Sequence, residues 1–262
     1  MKATISARVA LTVAGSDSGG GAGIQADLKT FHALGVFGTS AITCVTAQNP
    51  DRVSAVQAIT PRVVAEQIDR VFETFRVGAA KTGMLYDAMI IKTVATTLAG
   101  LRFKKLVVDP VMLSSSGATL LKKDAITTLA TKLFPLAGLV TPNLAETEVL
   151  WQQRIRSVDE LRDAAAALGQ RFGVAFLVKG GHLPGSKRAV DVLFDGKRLH
   201  EFSAPYVPKI KTHGTGCTFS AAITAHLALG SELVEAVGRA KIFVTRAIRD
   251  SIRVGEHRVL RL

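Results

Sequence analysis

Short apolar runs that end in polar residues constrain the fold of this chain most strongly. The first run, Val9–Ala14, is rich in β-branched residues and ends at Ser16-Asp17. A glycine-rich turn and an amphipathic stretch, Ile24–Leu34, follow it. Such a run predicts a strand buried on both faces, and the amphipathic stretch predicts a helix. The order strand, glycine turn, helix is typical of α/β proteins with a parallel sheet.

The same alternation continues along the chain. Further strands are predicted at Thr39–Thr46, Ala79–Thr82, Lys105–Val108, Gly138–Thr141 and Ala175–Val178. Capping residues, prolines and glycines predict helices at Pro61–Phe75, Asp87–Leu98, Ser157–Leu168, Gly214–Leu229 and Ser231–Arg249. Val190–Phe194 and Arg198–Phe202 flank Asp195-Gly196 and predict a hairpin. We therefore expect one doubly wound α/β domain over residues 1–262, with a mostly parallel sheet between layers of helices.

Composition and charge exclude some classes of function. Hydrophobic residues make up 48% of the 262 residues, and the formal net charge is +12. The basic residues are scattered along the chain and not interleaved with aromatics, so we expect no nucleic-acid binding. There is no secretory signal and no apolar run long enough to span a membrane, so we expect a cytoplasmic protein without a membrane partner. The two cysteines, Cys44 and Cys217, form no metal-binding or disulfide pattern.

Six of the predicted strands end in polar or charged residues. In a parallel sheet these ends lie along one edge, which is where ligands bind in open α/β folds. Each polar end alone is weak evidence, but together they predict a single site. The residues are Ser16-Asp17, Gln48-Asn49, Lys81-Thr82, Asp109, Asn143 and Lys179.

Two glycine loops face this edge. Gly21–Ala26 fits the pattern G-x-G-x-x-[GA], but the acidic residue that a dinucleotide site needs at the end of the second strand is replaced by Gln48-Asn49. A close approach of substrate to the backbone, or a simple tight turn, remains open for this loop. The second loop, Gly214-Thr215-Gly216, precedes a helix, and its backbone N–H groups predict an anion site for a transferred phosphoryl group. A glycine-relaxed helix start is the alternative.

Cys217 lies in the first turn of the helix that follows the second loop. That position lowers the pKa of a thiol and favours a thiolate, which could accept a proton from a substrate hydroxyl. A small buried cysteine is the alternative. Phosphoryl transfer also needs charge neutralisation, for which Lys179 and a divalent ion are candidates. Asp109 and the Asn143-x-x-Glu146 pair suit Mg²⁺, which takes few carboxylates and several waters. Glu146 alone is equally consistent with a first-turn acid at a helix start.

These segments together resemble the hydroxymethylpyrimidine/phosphomethylpyrimidine kinase family of thiamine synthesis, in the ribokinase superfamily. The resemblance covers roughly Val9–Arg249. It rests on Ala14–Asp17 with Gly19–Phe31, Thr46–Asn49, Lys81–Leu85, Asp109–Met112, Thr141–Asn143, Lys179–His182 and Thr212–Thr218. The C-terminal segment Arg253–Arg261 departs from the glycine- and histidine-rich tail that is usual in the family.

The resemblance implies a ribokinase-like three-layer fold, ATP with Mg²⁺, and a homodimer. It implies phosphorylation of 4-amino-5-hydroxymethyl-2-methylpyrimidine and of its monophosphate. It places the catalytic groups at Cys217, Lys179, Gly214 and Gly216, and the nucleotide phosphates near Lys179, Thr212, Gly214, Thr215 and Gly216. It places the pyrimidine near Gly15, Ala22, Asp27, Gln48, Met84 and Val111, and the metal near Asp109, Asn143 and Glu146, with contact through water.

Two other functions remain open. Pyridoxal kinases belong to the same branch, and a cysteine at position 217 could add to the aldehyde of pyridoxal. Thr46–Asn49 favours the pyrimidine substrate. A binding protein without catalysis on the same fold is the second alternative, which the high charge motivates. The presence of Cys217, Lys179 and the second glycine loop argues against it.

Overall fold

The computed structural model describes residues 7–112, 121, 123–181, 183, 188–207 and 213–262. Nine strands form one sheet in the order β3-β2-β1-β4-β5-β6-β7-β8-β9. Strands β1, β2, β4, β5, β6 and β7 run parallel, whereas β3, β8 and β9 pair antiparallel at the two sides. The strands are β1 (Val9–Asp17), β2 (Phe37–Gln48), β3 (Val53–Ala58), β4 (Val77–Thr82), β5 (Leu106–Val108), β6 (Leu139–Val140), β7 (Ala175–Gly180), β8 (Arg188–Phe194) and β9 (Leu199–Pro205).

Helices cover both faces of this sheet. Five of them, α2–α6, pack on one face, and α1, α7 and α8 pack on the other. The helix α4 continues into a π-helical turn at Leu129–Leu133 and a 3₁₀ turn at Phe134–Leu136. The helices are α1 (Gly23–Ala33), α2 (Pro61–Thr74), α3 (Ala88–Gly100), α4 (Lys123–Thr128), α5 (Leu144–Trp151), α6 (Val158–Phe172), α7 (Thr215–Ala228) and α8 (Leu233–Arg249).

The first strand shows how the sequence builds this sandwich. Leu11 and Val13 pack into the apolar core beneath α2 and α3, and Ala10 packs against Phe31 of α1 on the other face. All three β1 residues are fully buried. Because successive side chains of a strand point to opposite faces, a strand with helices on both sides must be apolar at every position. The predicted three-layer sandwich with a mostly parallel sheet is confirmed.

The structure differs from the predicted elements in an edge strand, in the unpredicted helix α4 and its continuation, and near the C-terminal end. The edge strand β3 is exposed along much of its length, so its sequence lacks the apolar signal of the inner strands. Helix α8 begins after Glu232, so Ser231 is not its N-cap residue. The divergent C-terminal segment forms a hairpin from β10 (Ile252–Val254) and β11 (His257–Val259). Among the helices described here, none is long and apolar enough to cross a membrane.

Candidate active site

The carboxyl ends of the parallel strands meet at one edge of the sheet, as predicted. Residues that are far apart in sequence become neighbours there. Asn143, after β6, forms a parallel bridge with Lys179 at the end of β7. Asp109 follows β5, next to β6 in the sheet. The polar strand ends therefore lie at the same edge of the sheet, although Lys81 and Thr82 are fully buried there.

Asp17, at the end of β1, organises the first glycine loop. Its Oδ1 accepts a hydrogen bond from the Gly19 N–H at 2.8 Å, and its Oδ2 accepts from the N–H groups of Gly21 at 3.1 Å and Ala22 at 2.8 Å. Burial alone would raise the pKa of Asp17, but hydrogen bonds from His213 and the backbone lower it below its ordinary value. Asp17 is therefore a charged anchor for the loop that leads into α1.

The two glycine loops press against each other. Gly214 has a φ of +81°, and a Cβ added there would lie 1.7 Å from the carbonyl oxygen of Gly21. A Cβ on Gly21 would lie 3.0 Å from the His213 ring. Only glycine permits both the left-handed backbone and this approach. Thr215 begins α7 directly after the contact, whereas Thr212, a predicted nucleotide-binding residue, lies outside the described residues.

Lys179 brings a positive charge to the start of α7. Its Nζ donates to Asp109 Oδ1 at 2.9 Å, and a Cβ on Gly216 would lie 3.4 Å from it. Ser220 of α7 donates to the other Asp109 oxygen at 2.9 Å. Burial alone would lower the pKa of Lys179, but Asp109 and Glu146 raise it above its ordinary value. A charged ammonium group and the N-terminus of a helix thus lie together, and both attract anions.

The thiol of Cys217 lies beside these groups, and its charge state differs from the prediction. The Gly23 N–H forms a hydrogen bond with its sulfur. Burial raises the pKa of Cys217 to about 11, although Lys81 acts in the opposite direction. The predicted thiolate is therefore wrong for this conformation, because the loss of hydration outweighs the effect of the helix terminus. Cys217 is a neutral thiol at pH 7.

Asp27 is not available for the predicted contact with substrate. Its carboxylate is 0% exposed, and it accepts hydrogen bonds from Lys81 Nζ at 2.7 Å and from the Thr12 hydroxyl at 2.6 Å. Burial would lower the pKa of Lys81, but the adjacent Asp27 raises it. A buried charge needs a partner, and these two side chains satisfy each other beneath the site. The role of Asp27 is therefore corrected from substrate contact to support of Lys81.

Gln48 is fixed at the opposite side of the site from Lys179. Its backbone N–H donates to the Ser18 hydroxyl at 2.8 Å, and that hydroxyl donates to the Gln48 carbonyl at 2.7 Å. Its side-chain Nε2 lies 3.0 Å from His213 Nε2, and its Oε1 lies 3.2 Å from Thr46 Oγ1. The second glycine loop therefore reaches Gln48 through the residue that precedes Gly214.

Two of the other predicted substrate residues line the same region. A Cβ on Gly15 would lie 2.8 Å from Cys44 Sγ and 3.7 Å from Met84 Sδ, so the backbone of β1 passes close to both sulfurs. The Met84 carbonyl accepts from the Thr43 hydroxyl at 2.7 Å, which fixes its position after β4. Val111 adopts a φ of +43°, which is unfavourable for a β-branched residue and marks a constrained backbone.

Comparison with known proteins shows the family to which the chain belongs. Residues 17–260 match the sequence profile of the phosphomethylpyrimidine kinase family. The chain belongs to this kinase family. It is 45% identical to the hydroxymethylpyrimidine/phosphomethylpyrimidine kinase of Bacillus subtilis over 94% of this chain and 91% of that protein. It is 48% identical to the thiamine biosynthesis bifunctional protein ThiED of Geobacter sulfurreducens over 91% of this chain, and it spans about half (49%) of that longer protein.

The fold agrees with solved structures as well. The ADP complex of Bacillus subtilis pyridoxal kinase superposes with a TM-score of 0.90 at 37% sequence identity, over 98% of this chain and 97% of that chain. The predicted ribokinase-like fold of this chain is therefore confirmed. The glycine loops and Lys179 of this kinase occupy the sheet edge at which we expect the nucleotide.

The predicted metal residues of this kinase are already engaged. Glu146 is 2% exposed, and its two carboxylate oxygens accept the backbone N–H groups of Met112 at 3.0 Å and Asn143 at 2.8 Å. Burial and the neighbouring Asp109 raise the pKa of Glu146, and Lys179 opposes them. The described part of the chain contains no group of three His, Cys, Asp or Glu residues that could hold a metal. Because both Glu146 oxygens already accept backbone N–H groups, these residues suit contact with a hydrated Mg²⁺ through water.

Sequence reasoning missed the supporting groups of the kinase site. Thr12 and Ser220 hold Asp27 and Asp109 and were assigned no role, whereas Lys81, which also holds Asp27, was predicted only as a polar strand end. Lys81 carried a usable signal, because a lysine in a short, otherwise apolar strand is almost never buried without a partner. Ser220 carried none, since its position one turn into α7 is meaningful only when Asp109 is known to lie beside it.

Proposed function

We propose that this kinase transfers the γ-phosphoryl group of ATP to 4-amino-5-hydroxymethyl-2-methylpyrimidine, and then phosphorylates the monophosphate to the diphosphate. The observation that supports this most strongly is the position of Lys179 Nζ, which lies 3.4 Å from where a Cβ on Gly216 would be. A charged ammonium group thus lies close to the N-terminus of α7. Gln48, on the other side of the site, then selects the substrate.

Phosphoryl transfer requires positioning and charge stabilisation more than covalent chemistry. Lys179 and the N–H groups of Gly214–Gly216 stabilise the charge that develops on the transferred group. In the structure Lys179 is paired with Asp109, so a bound phosphate competes with that carboxylate for the ammonium group. Asp109, Asn143 and Glu146 would hold a hydrated Mg²⁺ through water, and the ion would supply positive charge to neutralise the phosphates.

Cys217 acts on the acceptor as a neutral thiol. It lies next to Gly216 and receives a hydrogen bond from the Gly23 N–H, at the junction of the two glycine loops. We propose that it orients the hydroxymethyl oxygen toward the phosphoryl group. Because the transition state of such transfers is loose, the hydroxyl proton can leave late, after the bond to phosphorus has begun to form, and pass to an oxygen of the transferred phosphoryl group. A preformed thiolate is therefore not required.

Gln48 supports the identity of the substrate. A side-chain amide presents a donor and an acceptor side by side, which matches the exocyclic amine and ring nitrogen of an aminopyrimidine. Met84 supplies an adaptable apolar contact, and Gly15 lets the backbone of β1 pass close to it. A substrate that cannot pair leaves the amide unsatisfied, at a cost of about 1–3 kcal/mol.

One assay tests the proposal. The purified protein is incubated with Mg²⁺-ATP and, separately, with the hydroxymethylpyrimidine, its monophosphate, pyridoxal and ribose, and ADP release is measured. We expect turnover with both pyrimidines and none with ribose. Absence of ADP release with either pyrimidine would refute the proposal. In Cys217→Ala we expect a large loss of kcat with nucleotide binding nearly retained, and an unchanged kcat would remove the cysteine from the mechanism.

Phosphorylation of pyridoxal is a second candidate, favoured by the TM-score of 0.90 to a pyridoxal kinase. The same assay separates the two, since pyridoxal has a ring nitrogen but no amine next to it for Gln48 to pair with. We also propose that residues 1–262 act as one catalytic domain, that the protein forms a homodimer, and that it acts in the cytoplasm.

A further inference from the structure

The Gln48 side-chain amide lies among groups whose hydrogens can be counted. Thr46 Oγ1 lies 3.2 Å from one end of the amide, and His213 Nε2 lies 3.0 Å from the other. A half-turn about the last side-chain bond exchanges the amide oxygen and nitrogen without moving other atoms. The neighbouring donors and acceptors therefore decide which end is oxygen.

The Thr46 hydroxyl determines which atom of the Gln48 amide lies beside it. It lies 2.9 Å from the carbonyl oxygen of Ser16, which can only accept a hydrogen bond. A hydroxyl has one hydrogen, so Thr46 donates it to Ser16 and can only accept from Gln48. The amide atom beside Thr46 must then be the donor, the NH₂ group. The amide oxygen consequently faces His213.

The carboxylate of Asp17 independently determines which atom of the Gln48 amide faces His213. Its Oδ2 lies 3.3 Å from His213 Nε2, and an ionised carboxylate only accepts hydrogen bonds. The pKa of Asp17 is lowered, so it is charged at neutral pH. His213 Nε2 must therefore carry a hydrogen, which it shares between Asp17 and the amide atom of Gln48. That amide atom must be an acceptor, so both arguments place the Gln48 oxygen toward His213.

We propose that His213 is a positioning residue that fixes the orientation of the Gln48 amide, and thereby selects heteroaromatic substrates with an amine next to an unprotonated ring nitrogen. This inference rests on the proposed function, in which Gln48 pairs with the substrate. The oriented amide offers its oxygen to the amine and its second N–H to the ring nitrogen. A lactam, with a carbonyl next to a ring N–H, presents the reverse pattern and would need the amide turned over.

The chain of contacts explains how this orientation is maintained. Asp17 is held by three backbone N–H groups of the first glycine loop, and the His213 ring lies against Gly21. The histidine therefore cannot turn without disturbing that loop. It also precedes Gly214, so the group that orients the substrate amide is part of the loop that binds the phosphoryl group. His213 therefore links the residue that recognises the substrate ring to the loop that binds the phosphoryl group.

The tautomer of His213 tests the geometry without any substrate. In ¹⁵N-labelled wild-type protein, two-bond ¹H–¹⁵N spectra report which ring nitrogens carry hydrogen, and His213→Gln assigns the signal. If the variant fails to fold, sequential connectivities in the wild type assign it instead. We expect Nε2 to be protonated, in a neutral ring or in an imidazolium ring. An unprotonated Nε2 would overturn the proposal, whichever substrate the enzyme uses.

Selectivity tests the consequence. The ratio of kcat/KM for the 4-aminopyrimidine to that for its 4-oxo analogue is measured in wild type, His213→Leu and His213→Gln. We expect the ratio to fall about tenfold in His213→Leu, chiefly through KM for the amine. In His213→Gln, whose amide retains a donor, we expect partial recovery. An unchanged ratio in His213→Leu, or an equal loss of kcat for both substrates, would overturn the proposal.

These two measurements separate the possible failures. If the wild type phosphorylates neither pyrimidine, the proposed function fails, while the tautomer still decides the orientation of Gln48. If the pyrimidine is phosphorylated but Nε2 carries no hydrogen, the proposed function stands and the role of His213 is refuted.

Discussion

Lys179 Nζ lies 2.9 Å from Asp109 Oδ1, and this ion pair joins the ends of β7 and β5 across β6. The pair is almost completely buried, so each charge depends on the other. It also holds the ammonium group next to Gly216, at the start of α7. The pair therefore keeps the Lys179 ammonium group protonated before a phosphate binds. A bound phosphate must displace Asp109 from Lys179 or share Lys179 with it.

Removal of the Lys179 charge should abolish most activity. In Lys179→Met we expect kcat for the hydroxymethylpyrimidine to fall about 100-fold or more, because one preorganised group that stabilises developing charge is lost. Steady-state kinetics with Mg²⁺-ATP measure the effect. Lys92→Met, which removes an exposed lysine of α3, is the matched control and should behave as wild type. A fall of less than about threefold in Lys179→Met would exclude it as the main phosphate cation.

A side chain at Gly214 should damage the site more than its backbone angle alone explains. Gly214 and Gly196 both have a positive φ, +81° and +98°, but a Cβ at Gly196 meets nothing within 4 Å. In Gly196→Ala we expect a loss of unfolding free energy of about 1–2 kcal/mol and unchanged activity. In Gly214→Ala we expect a larger loss of stability and little activity, because Gly21 must move away. Urea unfolding and the kinase assay provide both readouts, and equal behaviour of the variants would contradict the contact.

The buried pair of Asp27 and Lys81 should be important for stability. In Asp27→Asn we expect a loss of about 3–5 kcal/mol of unfolding free energy, because Lys81 remains buried without a counter-charge. Glu66→Gln breaks the exposed pair of Arg62 and Glu66 and should cost less than about 0.5 kcal/mol. Urea unfolding compares the two variants. A small effect of Asp27→Asn would mean that Lys81 finds another partner or loses its proton.

The pH dependence of alkylation should show that Cys217 is a protonated thiol. With a pKa of about 11, only about one thiol in 10⁴ is ionised at pH 7. Because the thiolate is the reactive form, we expect alkylation by iodoacetamide to be slow at pH 7 and to accelerate about tenfold per pH unit toward pH 11. Mass spectrometry of peptides separates Cys217 from Cys44. A rate that levels off below about pH 8 would restore the thiolate interpretation.

Much of the fold followed from local patterns, and the exceptions have clear causes. The inner strands were predicted because burial on both faces requires apolar residues at every position, as in Val9–Ala14. The edge strand Val53–Ala58 escaped prediction because it is partly exposed and lacks that requirement. In the site, the polar strand ends and the glycine loop at Gly214 were predicted from position alone. The charge state of Cys217 and the role of Asp27 were not, since both depend on burial.

The sequence by itself determined the α/β alternation, the sheet edge at which we expect the site, and the family. Periodicity and motif spacing are local properties that are written along the chain. Only the tertiary structure decided that Lys179 pairs with Asp109, that Asp27 is sealed beneath the site with Lys81, and that His213 meets Asp17 and Gln48. Those contacts join residues tens to nearly two hundred positions apart, and their energies depend on distance and on exclusion of water, neither of which a linear pattern specifies.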